Sequence, residues 1–167
     1  MNSHISAADA TPEGEGNLAG SAPISALEVI IAADTCLWHG NETILLVEDE
    51  ALVRKAASEV LQSAGYRVVT AESAIQALEA YGESTEPLDL LLADVVMPGI
   101  SGHELAQQFF VLRPHIRIML MSGYVDQLTV CELSLYHKLA KPFSILTLLQ
   151  RVRAALDGHP SDFGASA

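Results

Sequence analysis

Residues 89–102 read DLLLADVVMPGISG, and this stretch decides the fold class. Its apolar run predicts a buried strand over Leu88–Ala93, because short apolar runs bounded by turn residues are typical of parallel-sheet cores. Asp94 ends that strand, and the sequence MPG that follows favours a turn. Ser101 with Glu104 then forms a capping-box pattern that starts a helix. The stretch therefore predicts a strand, a turn-rich loop and a helix in succession.

The same alternation repeats on both sides of this unit. Four more strands are predicted, at Ile44–Val47, Tyr66–Ala71, Ile116–Met121 and Tyr136–Ala140. Each strand is followed by a predicted helix, since apolar residues recur there at helical spacing. Strands that alternate with helices indicate an α/β fold, here a doubly wound five-stranded parallel sheet with helices on both faces.

The helical spacing also predicts which side chains face the sheet. The inward positions are Val53, Ala57, Val60 and Ala64; Ala74, Leu78 and Tyr81 behind a Ser73–Gln76 capping box; Leu105, Phe109 and Leu112; and Ile145, Leu148, Val152 and Leu156. Gly65 is predicted to end the first helix and Ser144 to start the last. A further short helix is predicted from Asp126.

Composition limits the classes of function. The 167-residue chain has a formal net charge of -12, which argues against a nucleic-acid binder because such proteins need a basic face. No apolar stretch is long enough to span a bilayer, and no Lys or Arg precedes Arg54, so the basic start of a secretory signal is missing. We therefore expect a cytoplasmic protein with no membrane partner. Cys36 and Cys131 have neither metal nor redox spacing.

Three regions are predicted along the chain. Residues 1–42 form an acidic, largely disordered extension with an apolar stretch at Ile24–Trp38. Residues 43–157 form the folded domain, and residues 158–167 form a flexible tail. The apolar stretch fits either a loosely docked extension or a specific binding element, on the domain itself or on a partner.

Polar side chains stand where the predicted strands leave the core. They are Glu48 and Asp49 after the first strand, Asp94 after the third, Ser122 after the fourth and Lys141 before the last helix. Because the carboxyl ends of parallel strands share one edge, these side chains are expected to converge. Three carboxylates repel one another there, and a hard cation such as Mg²⁺ relieves the repulsion through oxygen ligands.

Each of these residues also has a simpler interpretation. Glu48 and Asp49 alone fit the start of a helix, where the helix dipole favours acids. Lys141 alone is typical of a solvated surface, and Ser122 of a strand-end hydroxyl bonded to backbone. Their joint placement favours a site for a cation and a phosphoryl group.

Asp94 has the placement that a nucleophile needs, since a rigid strand holds it at an exposed loop. Phosphoryl transfer to it requires mainly positioning and charge neutralisation, to which the Lys141 charge and the Ser122 hydroxyl would contribute. A phosphatase with a covalent aspartate usually carries a second acid two positions later as general acid. Val96 stands there and cannot transfer protons, so we do not expect a dedicated turnover enzyme.

At these residues the chain resembles the receiver domain of two-component response regulators. The matching motifs ILLVEDE, DLLLADVVMPGISG, MSGY and KPF follow that family's order between residues 43 and 156. The resemblance implies that Asp94 accepts a phosphoryl group from a histidine kinase or a phosphotransfer protein. The other implied roles are Mg²⁺ ligation by Glu48, Asp49, Asp94 and the backbone carbonyl of Val96, a switch hydroxyl on Ser122, and a phosphoryl contact by Lys141.

The resemblance has further implications. It gives the strand order 2-1-3-4-5 and a cis peptide between Lys141 and Pro142, which proline makes accessible. It allows a homodimer. Val96 and Tyr124, which are apolar or bulky and border the entry path for attacking water, predict slow self-dephosphorylation. The sequences of the MPG and SGY motifs are most similar to those of receivers attached to, or working with, hybrid sensor kinases.

The sequence departs from this family on the face that normally signals. Receivers usually carry an aromatic residue three positions before the lysine, where this chain has Lys138. Tyr136 lies nearby, and we expect it on the same face only if the strand register shifts. The segment between Ser122 and Lys141 is also slightly shorter than usual. We therefore expect intact chemistry and an altered readout.

Two hypotheses of function follow. The first is a phosphoacceptor receiver without its own output domain, because few residues follow Leu156, so that an unknown downstream protein reads its state. The alternative is a phosphorylation-independent interaction module in which the acidic pocket is a relic. The complete set of pocket residues argues against the alternative.

Overall fold

The computed structural model describes residues 38–82, 84–123 and 136–158. Five strands form one parallel sheet in the order β2-β1-β3-β4-β5, which confirms the predicted fold class and strand order. The strands are β1 (Thr43–Val47), β2 (Arg67–Ala71), β3 (Leu90–Asp94), β4 (Arg117–Ser122) and β5 (His137–Ala140). The helices are α1 (Ala51–Ser63), α2 (Ala74–Tyr81), α3 (Gly102–Leu112) and α4 (Ile145–Asp157).

Some predictions fall outside these residues. They are the helix from Asp126, the extension before Trp38 and most of the tail after Asp157. Within the described part of the chain, no helix is long and apolar enough to cross a membrane.

Helices cover both faces of the sheet, so the central strands are buried on both sides. Residues 44–47 of β1 and 90–93 of β3 have no exposed surface. Alternate side chains enter two apolar clusters: Ile44 and Leu92 pack towards α1 and α4, whereas Leu45 and Leu91 pack towards α2 and α3. Burial on both faces explains why these strands read as continuous apolar runs.

The helix starts largely follow the predicted caps. The Ser101 hydroxyl accepts from the Glu104 amide at 3.2 Å, and the Glu104 carboxylate accepts from the Ser101 amide at 2.9 Å, a complete capping box. The reciprocal box predicted for Ser73 and Gln76 is only half correct. Ser73 accepts from the Gln76 amide, but the Gln76 side chain accepts from the Glu72 amide at 2.7 Å.

Two predicted core positions are wrong. Leu112 and Ile145 are 46% and 62% exposed. Leu112 is the last residue of α3 and Ile145 the first of α4, so both apolar stripes continue past the part of the helix that packs on the sheet. Leu61 and Ala77 are fully buried although the predicted faces omitted them.

Tyr136 faces the α2 and α3 side of the sheet without any register shift. It is 6% exposed, packs in that cluster and meets the His103 ring edge-on at 6.2 Å between centroids. Lys138, which pairs with Leu120 of β4, is exposed. The expectation that Tyr136 needs a register shift is wrong, because side chains two positions apart in a strand lie on the same face.

An ion pair ties the start of β1 to the end of α4. Arg153 donates from Nη2 to the Glu42 carboxylate at 2.7 Å and lies 2.9 Å from Asp157. The hydrogen bond from Arg153 lowers the pKa of Glu42, against the opposing effect of partial burial. Both partners are largely shielded from solvent, so this ion pair contributes more to the stability of the fold than a freely exposed pair would.

Replacing Glu42 by glutamine is expected to lower the free energy of unfolding at neutral pH by about 1 kcal/mol. The folded-state pKa of Glu42 lies below its unfolded value, so the stabilisation is present above the unfolded value and is lost as pH falls through the folded one. Urea unfolding at neutral and at strongly acidic pH measures both effects. Glu59→Gln, which removes an exposed pair with Lys55, is the control and should change little. Equal stability of Glu42→Gln and wild type at neutral pH contradicts the prediction.

Candidate functional site

The site lies at the carboxyl edge of the sheet, where β1 and β3 run side by side. Val47 pairs with Ala93, so the next residues, Glu48 and Asp94, leave the two strands together. The carboxylate oxygens of Glu48, Asp49 and Asp94 lie within 4.8 Å of one another. The structure thus brings the three predicted acids together.

These acids differ in burial. Glu48 is 1% exposed and Asp94 8%, whereas Asp49 is exposed. Burial raises the pKa of the Glu48 carboxyl, and the nearby Lys141 only partly offsets that effect. A cleft with two buried carboxylates and one at its mouth favours a bound cation, because the cation compensates their desolvation.

Lys141 bridges two of the acids. Its Nζ lies 2.6 Å from Asp94 Oδ2 and 2.7 Å from Glu48 Oε2. Burial by itself lowers the pKa of Lys141, but hydrogen bonds to Asp94 and Glu48 outweigh it and raise the pKa overall. Lys141 therefore remains a positive charge in the cleft.

Ser122 and Val96 are neighbours of Asp94 in the fold. Ser122 ends β4, next to β3, and its carbonyl accepts from the Lys141 amide at 2.8 Å. The Val96 amide donates to Asp94 Oδ1 at 3.1 Å, while the Val96 side chain is 58% exposed. The Lys141–Pro142 peptide is cis, as the resemblance implies.

Gly102 permits the tight junction between β3 and α3. A Cβ at this position would lie 2.0 Å from the Asp94 carbonyl oxygen, which is closer than two non-bonded atoms can approach. Only glycine therefore fits here. The Gly102 amide donates to the Val95 carbonyl at 3.1 Å. The start of α3 therefore packs directly on the backbone that carries Asp94.

Arg54 is a site residue that sequence reasoning missed. Its Nη1 donates to the carbonyl of Glu48 at 2.5 Å and to that of Asp49 at 3.1 Å. It lies in the first turns of α1 and reaches back to the end of β1. The signal was available, since Arg54 is the first basic residue of the chain and closely follows the acidic pair. Its role is to fix the backbone of the loop that carries both acids.

The residues present fit Mg²⁺. Every side-chain group offered by Glu48, Asp49 and Asp94 is a carboxylate oxygen, the donor that hard divalent cations prefer. Softer metals would be expected to use imidazole or thiolate ligands.

Comparison with known proteins identifies the family. Residues 44–153 match the family model of the response regulator receiver domain. The chain belongs to that family. The three acids, the serine and the lysine of the site all come from motifs inside the matched region.

Two curated relatives show the breadth of the family. The chain is 36% identical over 146 residues to the sensor kinase CckA of Brucella abortus, covering 86% of this chain but only 15% of the kinase. It is 33% identical over 119 residues to the sporulation initiation phosphotransferase F of Bacillus subtilis, covering 70% of this chain and 94% of that protein. The chain thus spans a small part of one relative and nearly all of the other.

Solved structures of a receiver domain and a response regulator also resemble this chain. The receiver domain of the hybrid histidine kinase CckA superposes with a TM-score of 0.59 at 36% identity, covering 68% of this chain and 98% of that one. The response regulator TrrA from Thermotoga maritima, in complex with Mg²⁺ and BeF, superposes with a TM-score of 0.63 at 30% identity, covering 69% and 99%. The resemblance to receivers associated with hybrid kinases is confirmed.

Proposed function

We propose that Asp94 is the phosphoacceptor of a two-component phosphorelay, and that its donor is a histidine kinase or a histidine phosphotransfer protein. The observation that carries the proposal is the contact of 2.6 Å between Asp94 Oδ2 and Lys141 Nζ inside a cluster of three carboxylates. An ammonium group in this position is suited to receive a phosphoryl oxygen once the transferred group is attached to Asp94.

The proposed reaction transfers a phosphoryl group from a phosphohistidine. A carboxylate oxygen of Asp94 bonds to phosphorus while the phosphorus–nitrogen bond breaks, and the electron pair returns to the imidazole of the donor. The Val96 amide donates to Oδ1 of the Asp94 carboxylate and Lys141 donates to Oδ2, and these two bonds orient the carboxylate. Mg²⁺, held by Glu48, Asp49, Asp94 and the Val96 carbonyl, would neutralise charge on the transferred group.

Ser122 would then report the modification. A hydroxyl at the end of β4 is suited to donate to a phosphoryl oxygen on the neighbouring strand. The hydrogen bond from the Lys141 amide to the Ser122 carbonyl links the two residues that face the new group. Phosphorylation would shift the population of the domain towards a state in which both move inward.

We also propose that this domain signals by docking to a downstream protein and not through an output domain of its own. The similarity to phosphotransferase F, of which the chain covers 94%, supports this arrangement. The exposed Lys138, where receivers usually carry an aromatic residue, supports a readout surface that differs from the common one.

Treatment with acetyl phosphate and Mg²⁺ tests the proposal. Intact mass spectrometry is expected to show one added phosphoryl group, and prior chelation of the metal is expected to prevent it. A folded protein that takes up no phosphoryl group with Mg²⁺ present contradicts the proposal.

The pH dependence of Mg²⁺ binding provides a separate prediction. Because burial raises the pKa of Glu48, Mg²⁺ affinity is expected to fall as pH decreases through that raised value, by about tenfold per pH unit once Glu48 is protonated. Calorimetric titration of wild type and Glu48→Gln across this range measures it, and the variant should bind weakly at every pH. Glu50→Gln, which alters a neighbouring exposed acid, is the control and should follow wild type. A wild-type affinity that stays constant down to the ordinary glutamate pKa contradicts the prediction.

A further inference from the structure

An open apolar groove lies between α1 and α4. Its volume is about 500 Å³. Its lining residues are Val53, Ala56, Ala57, Val60, Lys141, Pro142, Phe143, Ile145 and Leu148. Ile145 leaves 62% of its surface exposed along this groove. An apolar surface of this kind on a soluble domain commonly marks a binding surface.

The first described residues of the chain pack on the same face of the sheet as this groove. Trp38 packs against the same cluster as Val60 and Phe143, both of which line the groove. The Tyr66 hydroxyl donates to the Trp38 carbonyl at 2.8 Å, and the Gly40 amide donates to the Ala64 carbonyl at 3.1 Å. These bonds attach the chain near the carboxyl end of α1, one helical turn beyond Val60, so residues that precede Trp38 start close to the groove.

The preceding stretch, Ile24–Leu37, has the composition and length to occupy it. It reads ISALEVIIAADTCL and is mostly apolar. In a helical conformation these residues would reach about 21 Å, whereas α1 rises only about 16 Å from Ala64 to Val53. A continuous connection through Trp38 also makes docking intramolecular, which raises the effective concentration of the stretch at the groove.

Charge favours the same face of the sheet. No Lys or Arg occurs before Arg54, and Ile24–Leu37 contains Glu28 and Asp34. The α1 and α4 layer carries four basic and two acidic side chains, whereas α2 and α3 carry two acidic side chains and neither Lys nor Arg. An acidic apolar stretch is therefore less strongly repelled by the α1 and α4 layer than by the opposite helices.

We propose that Ile24–Leu37 docks in the groove between α1 and α4 of its own molecule. One end of the groove is formed by Lys141, which contacts Asp94, so the docked stretch lies next to the phosphoacceptor edge. The docking itself does not depend on phosphorylation of Asp94.

Hydrogen–deuterium exchange of the full chain, followed by mass spectrometry, tests the proposal. Backbone amides of residues 24–37 are expected to exchange about tenfold or more slowly than an unstructured chain. Ile145→Asp, at the groove, and the double variant Ile30→Asp/Ile31→Asp, in the stretch, should each return exchange to the unstructured rate. Val111→Asp, at a side chain 76% exposed on α3, is the matched control and should leave protection unchanged. Exchange of peptides from β1 and β3 verifies that each variant is folded.

Three results overturn the proposal. The first is exchange of residues 24–37 at the unstructured rate in wild type. The second is protection that survives Ile145→Asp in a folded protein. The third is protection that disappears on dilution, because a second copy of the chain, and not the same molecule, would then be the occupant.

Discussion

Asp94→Asn is expected to abolish phosphorylation by acetyl phosphate, with no adduct detectable by intact mass spectrometry. The substitution keeps the shape of the side chain and the contact with the Val96 amide, but the amide group is a poor nucleophile towards phosphorus. It also removes one of three clustered carboxylates, so Mg²⁺ affinity should fall as well. The loss should be complete, since the negatively charged carboxylate that attacks phosphorus is removed.

Asp89→Asn is the matched control for this experiment. Asp89 immediately precedes β3, at the opposite end of the strand that Asp94 ends, and its carboxylate accepts from the Thr43 amide at 2.8 Å. Its variant should be phosphorylated like wild type. An adduct that persists in Asp94→Asn would mean that another residue accepts the phosphoryl group.

Lys141→Met has the second largest expected effect. It is expected to slow phosphorylation by about 100-fold, because the site loses the preorganised cation that meets the developing charge on the phosphoryl oxygens. Mg²⁺ binding should persist, since all three carboxylates remain. Conformational change after phosphorylation should be lost as well, because Lys141 joins Asp94 to the backbone of Ser122.

Lys138→Met provides the control for Lys141→Met, since it removes the same charge from the same strand region. Lys138 is exposed and pairs in register with Leu120, away from the cleft. The phosphorylation rate of Lys138→Met should stay within about twofold of wild type, because salt largely screens an exposed charge outside the cleft. Stopped-flow fluorescence or a time course of intact mass measures both rates. Equal rates for the two variants would show that Lys141 does not contact the transferred group.

The fold was predictable because its signals are local and repeated. The run LLLA of β3 and the Ser101–Glu104 box lie within a few residues of each other, and both retain their predicted form. Ile145 was misjudged because helical spacing shows a face without showing how far the sheet extends beneath it. The capping-box pattern predicts that the Gln76 side chain accepts from the Ser73 amide, whereas in the structure it accepts from the neighbouring Glu72 amide.

The candidate site was predictable as a set of residues and not as a geometry. Strand ends place Glu48 and Asp94 at one edge of any parallel sheet, so their convergence follows from the fold class. The bridge that Lys141 makes between them depends on how the chain after β5 directs its side chain into the cleft. The contact of Arg54 with the loop carbonyls depends on the direction of the first turn of α1. Neither contact has a sequence pattern of its own.

The position of Tyr136 bears on how the signal leaves the site. An aromatic side chain is present on the expected face, but it lies two positions before Lys138 and is already packed against His103. A side chain that is 6% exposed has little surface left to bury on activation. We therefore expect that this receiver's readout differs from the inward swing of an exposed aromatic residue.

Chemical mapping of the phosphoryl group tests the central claim most directly. Borohydride reduces an aspartyl phosphate to homoserine, which peptide mass spectrometry locates in the sequence. After treatment with acetyl phosphate and Mg²⁺, the account predicts homoserine at position 94 and at no other aspartate. Homoserine at another position, or none in a folded protein with bound Mg²⁺, would contradict it.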